Sequence, residues 1–265
     1  MILVSSYPKS GATWFRFLMY ACTNGEIEKS RDVRRFYPGI RIQQALIQKK
    51  IEEGERFFVK SHYPYTDKIP FFDNIKATIY IARNPLDVIA SYINHVQVQD
   101  NPLTKKRQIN NIIKAAIKNA NKREFQIHTE NAAGGWNNHV ISWLEENKNI
   151  PVHIIKYEDL LSKPFETIKK LSEDMDLGFS DEAIKLGIDQ ASFNNMRKIE
   201  EHEIMNDING MFLGKKKKRK KAFIEKNKRF VNKGKKGNYL DLMTEDQITS
   251  ANNAFEKGMK LLHYL

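Results

Sequence analysis

The sequence predicts a single α/β domain over residues 1–265, built on a central parallel β-sheet flanked by helices, with a P-loop-like anion-binding loop after its first strand. Three observations carry this reading. Short apolar strands alternate with helical stretches, the pattern of parallel strands joined by crossover helices. Two strand ends pass through a polar turn straight into a helix, the place where such sheets bind ligands. The third is composition: 41% hydrophobic residues with 15 Phe, 10 Tyr and 3 Trp, enough for a packed core and too much for a disordered chain.

Ile2-Leu3-Val4 before Tyr7-Pro8 reads as a buried strand running into a loop. Trp14, Phe15, Phe17, Leu18 and Ala21 then give residues 11–22 the apolar face of a helix on a sheet. Further strands are predicted over residues 56–60, 77–82 and 152–157. Pro85 fits the first turn of a helix that runs through Ser91 and His95. Residues 101–122 are mixed, with Ile109, Ile112, Ile113 and Ile117 at helical spacing. Helices are predicted over 136–146, 164–175 and 180–186, and from residue 245 to the end.

The formal net charge is +12 at pH 7. Residues 214–236 hold 13 Lys or Arg and a single acid, Glu225, so this stretch carries the whole excess and the remainder is neutral. That describes a neutral globule with one cationic segment, not a general nucleic-acid coat. The single Cys22 excludes an internal disulfide and any multi-cysteine metal site, and no metal-ligand cluster is visible. No apolar run approaches the ~20 residues of a membrane-spanning helix, and the N-terminus lacks signal-peptide character. The expectation is a cytoplasmic protein.

The strongest chemical signal is Tyr7-Pro8-Lys9-Ser10-Gly11-Ala12-Thr13-Trp14, between strand and helix. Unpaired N–H groups and the helix dipole attract an anion there, and Lys9, Ser10 and Thr13 add donors. It is not a Walker A loop, because the lysine precedes the glycine. An ordinary turn with an exposed lysine is the bland alternative. Arg83-Asn84-Pro85-Leu86-Asp87, leading to Ser91, repeats the geometry, and the Arg83 fork suits a second phosphate unless it merely pairs with Asp87. Phe57-Phe58-Val59 runs out into Lys60-Ser61-His62, where a histidine beside an anion site can act as a general base.

These segments resemble the cytosolic sulfotransferase family. Residues 7–14 look like its 5′-phosphosulfate loop, Arg83 to Ser91 like its 3′-phosphate motif, and Lys60-Ser61-His62 like the segment that holds its base. Further likenesses are Gly135-Trp136 with His139-Val140, Tyr157-Glu158-Asp159, Ser192-Phe193 with Met196, and Lys233-Gly234-Lys235-Lys236-Gly237. The resemblance implies sulfuryl transfer from 3′-phosphoadenosine-5′-phosphosulfate (PAPS) to a hydroxyl or amine, leaving 3′,5′-diphosphoadenosine (PAP), with no metal. It implies catalytic roles for His62, Lys9, Lys60 and Ser91. The cofactor would be held by Lys9, Ser10, Gly11, Ala12, Thr13 and Trp14, by Arg83 and Ser91, by Tyr157 and Phe193, and by Val231, Asn232, Lys233 and Gly234. Trp14 and Phe193 would sandwich the adenine.

Three departures stand out: Ala12 replaces a hydroxyl residue, Asn232 an arginine and Tyr239 a tryptophan. The acceptor, a small molecule or a glycan, is not identified by any residue. The lysine run 215–221 is read either as a mobile arm that draws in an anionic acceptor or as a solvated stretch without a role. Two other classes remain open at this point: a nucleotide kinase or NTPase, and, through the lysine run, a nucleic-acid-binding module.

Overall fold

A computed structural model describes residues 1–98, 106–123, 133–212, 216–231 and 234–265. Four strands, β1 (Ile2–Ser6), β2 (Phe58–Ser61), β3 (Ala77–Ala82) and β4 (Val152–Lys156), form a parallel sheet in the order β2-β1-β3-β4. Ile2 pairs with Phe58 on one side and with Ala77 on the other. Successive side chains of a strand point to opposite faces, and here they feed two cores. Ile2, Val4, Ile79 and Ile81 face one, and Leu3, Val59, Tyr80 and Ala82 face the other.

The first core is closed by α1 (Ala12–Asn24), which buries Phe15, Phe17 and Leu18. Each such side chain contributes about 1.5–3 kcal/mol on leaving water. Between α1 and β2 the chain forms α2 (Ser30–Phe36) and α3 (Gln44–Glu52). The second core is closed by α4 (Pro85–Val98), α5 (Lys106–Lys118) and α6 (Trp136–Ile141), the last continuing as a π-helical turn over Ser142–Glu146. Helix α4 begins where the sequence places it: the Asn84 side-chain oxygen accepts the Leu86 N–H at 2.9 Å, and Pro85 opens the first turn.

After β4 come α7 (Tyr157–Ser162), α8 (Pro164–Asp174), α9 (Asp181–Gln190), α10 (Phe193–Met205), α11 (Lys216–Lys226) and α12 (Glu245–Leu261). Tyr157, expected at the end of the fourth strand, opens α7 instead and turns back under the first loop. Ser180 and Ser192 cap α9 and α10, and Thr244 with Gln247 forms a capping box on α12.

The lysine run, one reading of which is a mobile arm, is helix α11 from Lys216 onward. Arg219, Ala222 and Phe223 recur at i, i+3 and i+4 and are buried, which docks the helix. Lys215, Asn232 and Lys233 lie outside the described residues. Among the described residues no helix is long and apolar enough to cross a membrane.

Candidate active site

All four strands point the same way, so the β1–α1 loop, the end of β2 and the β3–α4 loop open on one edge of the sheet. Helix α1 covers one face and α4 the other, which leaves a crevice between their N-termini.

The first loop is closed by the Ser10 N–H donating to the Tyr7 carbonyl at 3.2 Å. Lys9 (φ 73°) and Gly11 (φ 99°) both take left-handed backbone. At Gly11 a Cβ would fall 2.5 Å from the Tyr157 ring, so only glycine fits the turn and the packing together. No side chain among the described residues caps α1, and its first N–H groups face the crevice edge. Ser10 Oγ is buried there without a partner among the described residues. Ala12 is buried, while Thr13 and Trp14 are half-buried. Trp14 donates from Nε1 to the Ala191 carbonyl at 2.9 Å, beside the Ser192-Phe193 turn, and meets Tyr157 edge-on at 5.4 Å.

Arg83 is 6% exposed and points inward. It donates to the Lys9 carbonyl at 3.2 Å, and its guanidinium lies 4.2 Å from the centre of the Tyr157 ring. Its Nε has no partner among the described residues. The alternative pairing with Asp87 does not form. The Asp87 carboxylate accepts the Gly237 and Asn238 N–H groups at 2.8 and 2.7 Å, which ties α4 to the glycine loop. Glu158 of α7 accepts the Asn84 N–H at 3.1 Å, which ties the start of α4 to α7. Ser91 sits two turns into α4, half-buried, one turn before His95.

At the end of β2, His62 Nδ1 lies 2.7 Å from the Ser6 carbonyl. A carbonyl only accepts, so Nδ1 carries the proton and Nε2 is left with its lone pair. Burial, and then the neighbouring Lys60, holds His62 well below the usual histidine range, so the ring is neutral at neutral pH. Lys60 is also held well below the usual lysine range, first by burial and then by Arg16, Arg41 and Lys9. Lys9 falls to about 7 through burial, Arg219 and Arg83. Crowded cations that lower one another's pKa describe a site that gains by taking an anion.

Gly234 (φ 57°) would place a Cβ 2.2 Å from the Phe193 ring, so the glycine loop presses on that aromatic. A cleft of about 500 Å³ opens beside it, lined by Phe193, Arg197, Lys235, Lys236, Gly237, Asn238 and Asp241. Val231, predicted to touch a cofactor, has its side chain in the core and its N–H held by Glu200 at 2.9 Å. The adjacent Phe230 instead faces the site, with Lys9 Nζ 4.7 Å from its ring centre. The sequence reading missed Phe230, Glu200 and Ser6. Only Phe230, next to a motif, had a signal that points to it.

A family model described as a sulfotransferase domain matches residues 1–263. Mouse sulfotransferase 1B1 is 30% identical over 212 residues, covering 74% of this chain and 65% of the relative. The chain thus spans just under two thirds of that relative's length. Rabbit (Oryctolagus cuniculus) amine sulfotransferase is 24% identical over 98% of this chain and 80% of its own length. The crystal structure of a mouse sulfotransferase complexed with PAP superposes with a TM-score of 0.65 at 20% identity, covering 98% of this chain and 84% of that one, a likeness of fold.

Proposed function

The chain belongs to the sulfotransferase family, and from that premise we propose that it is an enzyme that moves the sulfuryl group of PAPS to a hydroxyl or amine of a small-molecule or glycan acceptor. One observation carries the reading. A neutral histidine with a free Nε2, two lysines of lowered pKa and an inward-pointing arginine meet at one edge of a parallel sheet. The residues fit a nucleotide with two anionic ends. Ser10 Oγ and Arg83 Nε are buried donors without partners among the described residues, some distance apart in sequence and on separate loops. The uncapped start of α1 adds backbone N–H groups to the first of them.

PAPS, when bound, supplies the sulfuryl group and leaves as PAP. His62 Nε2 takes the proton of the acceptor, the Nδ1–H···O bond to Ser6 fixing the ring. With PAPS bound, Lys9 would stabilise the charge on the departing phosphate oxygen, and Lys60 the sulfuryl oxygens. Arg83, Ser91 and the glycine loop would hold the 3′-phosphate, with Asp87 keeping that loop in place. Trp14 and Phe193 would take the adenine between them, and Tyr157 packs against both Trp14 and Arg83. The likeness of its motifs to cytosolic sulfotransferases supports a cytoplasmic enzyme.

The test is transfer from radiolabelled PAPS to a panel of phenols, amines and acidic sugars, alongside binding of PAP and ATP. Label transfer with PAP bound more tightly than ATP is expected. A chain that prefers ATP, or that binds neither, overturns the proposal.

A further inference from the structure

Glu200 of α10 is completely buried and serves three donors at once. Its carboxylate accepts the Phe230 and Val231 N–H groups at 2.6 and 2.9 Å, and the Arg219 guanidinium at 3.4 Å. Arg219 comes from α11, the helix made by the lysine run, and is itself 5% exposed. Its Nε has no partner among the described residues.

The guanidinium lies 5.3 Å from the centre of the Phe230 ring, the same ring that carries Lys9 Nζ at 4.7 Å. His95 of α4 meets that ring edge-on at 6.2 Å. One aromatic ring is therefore shared by the lysine of the first loop, an arginine of the basic helix and a histidine one turn beyond Ser91. Two backbone amides and one arginine divide the single Glu200 carboxylate, so Lys9 and Arg219 leave an excess of positive charge around Phe230. Packing like charges together costs free energy, and an anion between them recovers it.

We propose that Arg219 is an anion-binding residue of the transfer site: α11 carries it in, Glu200 and Phe230 hold it, and it binds the 5′-side oxygens of the nucleotide together with Lys9. Glu200 is a positioning residue, since it acts through Arg219 and the Phe230 backbone. This inference rests on the sulfotransferase reading and adds a residue that none of its motifs contains. It also gives the basic helix a defined task, done by one buried arginine and not by its charge as a whole. Arginine suits the task because its planar fork keeps one edge on Glu200 and frees another for a phosphate or sulfuryl oxygen.

The experiment compares two probes, PAP and adenosine 3′-phosphate, which lacks the 5′-phosphate. In Arg219→Gln the preference of the chain for PAP over adenosine 3′-phosphate should shrink roughly tenfold or more, with adenosine 3′-phosphate affinity unchanged. An unaltered preference, or equal loss of both probes, overturns the assignment. Should Arg219→Gln fail to fold, the wild-type chain labelled with ¹⁵N-arginine decides. The Arg219 Nε–H signal, assigned by its disappearance in Arg219→Lys, should move with PAP and not with adenosine 3′-phosphate. A signal that moves with neither overturns the proposal. Failure of the wild-type chain to bind PAP at all would instead bring down the sulfotransferase reading beneath it.

Discussion

At the scale of single residues the site depends on two unusual protonation states. His62 is neutral because burial and the charge of Lys60 disfavour its cation. A group with a lowered pKa loses its proton early as pH rises, so the acidic limb of kcat/KM should lie below pH 6.5, the ordinary histidine value. His62→Ala should lower kcat by ~10²-fold or more and leave PAP affinity nearly unchanged. Near-normal turnover in that variant would remove His62 as the base. Lys9 is the opposite case, because its useful form is the cation and its pKa sits at about 7. An anion beside it raises that pKa, so binding takes up a proton at pH values above 7. PAP affinity should therefore fall as pH rises from 7 to 9, and Lys9→Arg, always charged, should flatten the profile. Calorimetric titrations at several pH values measure both. A wild-type affinity constant over that range would contradict the assignment.

At the scale of elements, the β3–α4 junction is the part proposed to tell one nucleotide from another. If Arg83 holds the 3′-phosphate, Arg83→Ala should weaken PAP far more than adenosine 5′-phosphosulfate, which lacks that group. Equal losses would make Arg83 a scaffold for Lys9 and Tyr157. This junction was legible in the sequence. Asn84 and Pro85 encode a helix start by their own local chemistry, and a strand before a helix start fixes the edge of the sheet on which the arginine emerges. The first loop was legible for the same reason, since Lys9, Ser10 and Gly11 are neighbours in the chain. What escaped was long-range. Glu200 meets Phe230 and Arg219 across 30 and 19 residues, and Asp87 reaches Gly237 across 150. No periodicity or cap records such a pairing. Helix α11 was hidden by its lysines, because the residues that dock it, Arg219, Ala222 and Phe223, are few among many charges. The structure also overrode the fourth strand at Tyr157, whose ring is needed against Gly11 and Trp14.

For the whole molecule, the arrangement of charge makes stability depend on pH and on ligand in a linked way. The chain carries a net +12, and its site brings together Lys9, Lys60, Arg83 and Arg219, of which Arg219 bonds the buried Glu200 carboxylate. Lys9 titrates at about 7 in the folded chain and near its ordinary value of 10.5 when unfolded. Between those values the unfolded state binds more protons, so the Lys9 contribution to stability rises with pH from about 7 upward and is flat below it. Lys60, lowered for the same reasons, acts in the same direction. Bound PAP is expected to oppose this by returning the Lys9 pKa towards its ordinary value. It also stabilises the fold by mass action, by about 2.7 kcal/mol at a hundred times its Kd. The gain should be larger at pH 7, where the cations are charged and repel, than at pH 9, and it should shrink as salt screens the site. Thermal unfolding at pH 7 and 9, with and without PAP at a fixed multiple of the pH 7 Kd, reads the difference directly. The Tm shift caused by PAP should be smaller at pH 9, and in Lys9→Met it should lose most of its pH dependence. Equal shifts at both pH values in the wild-type chain would mean that the anion does not engage Lys9, and the electrostatic account of the site would fall with it.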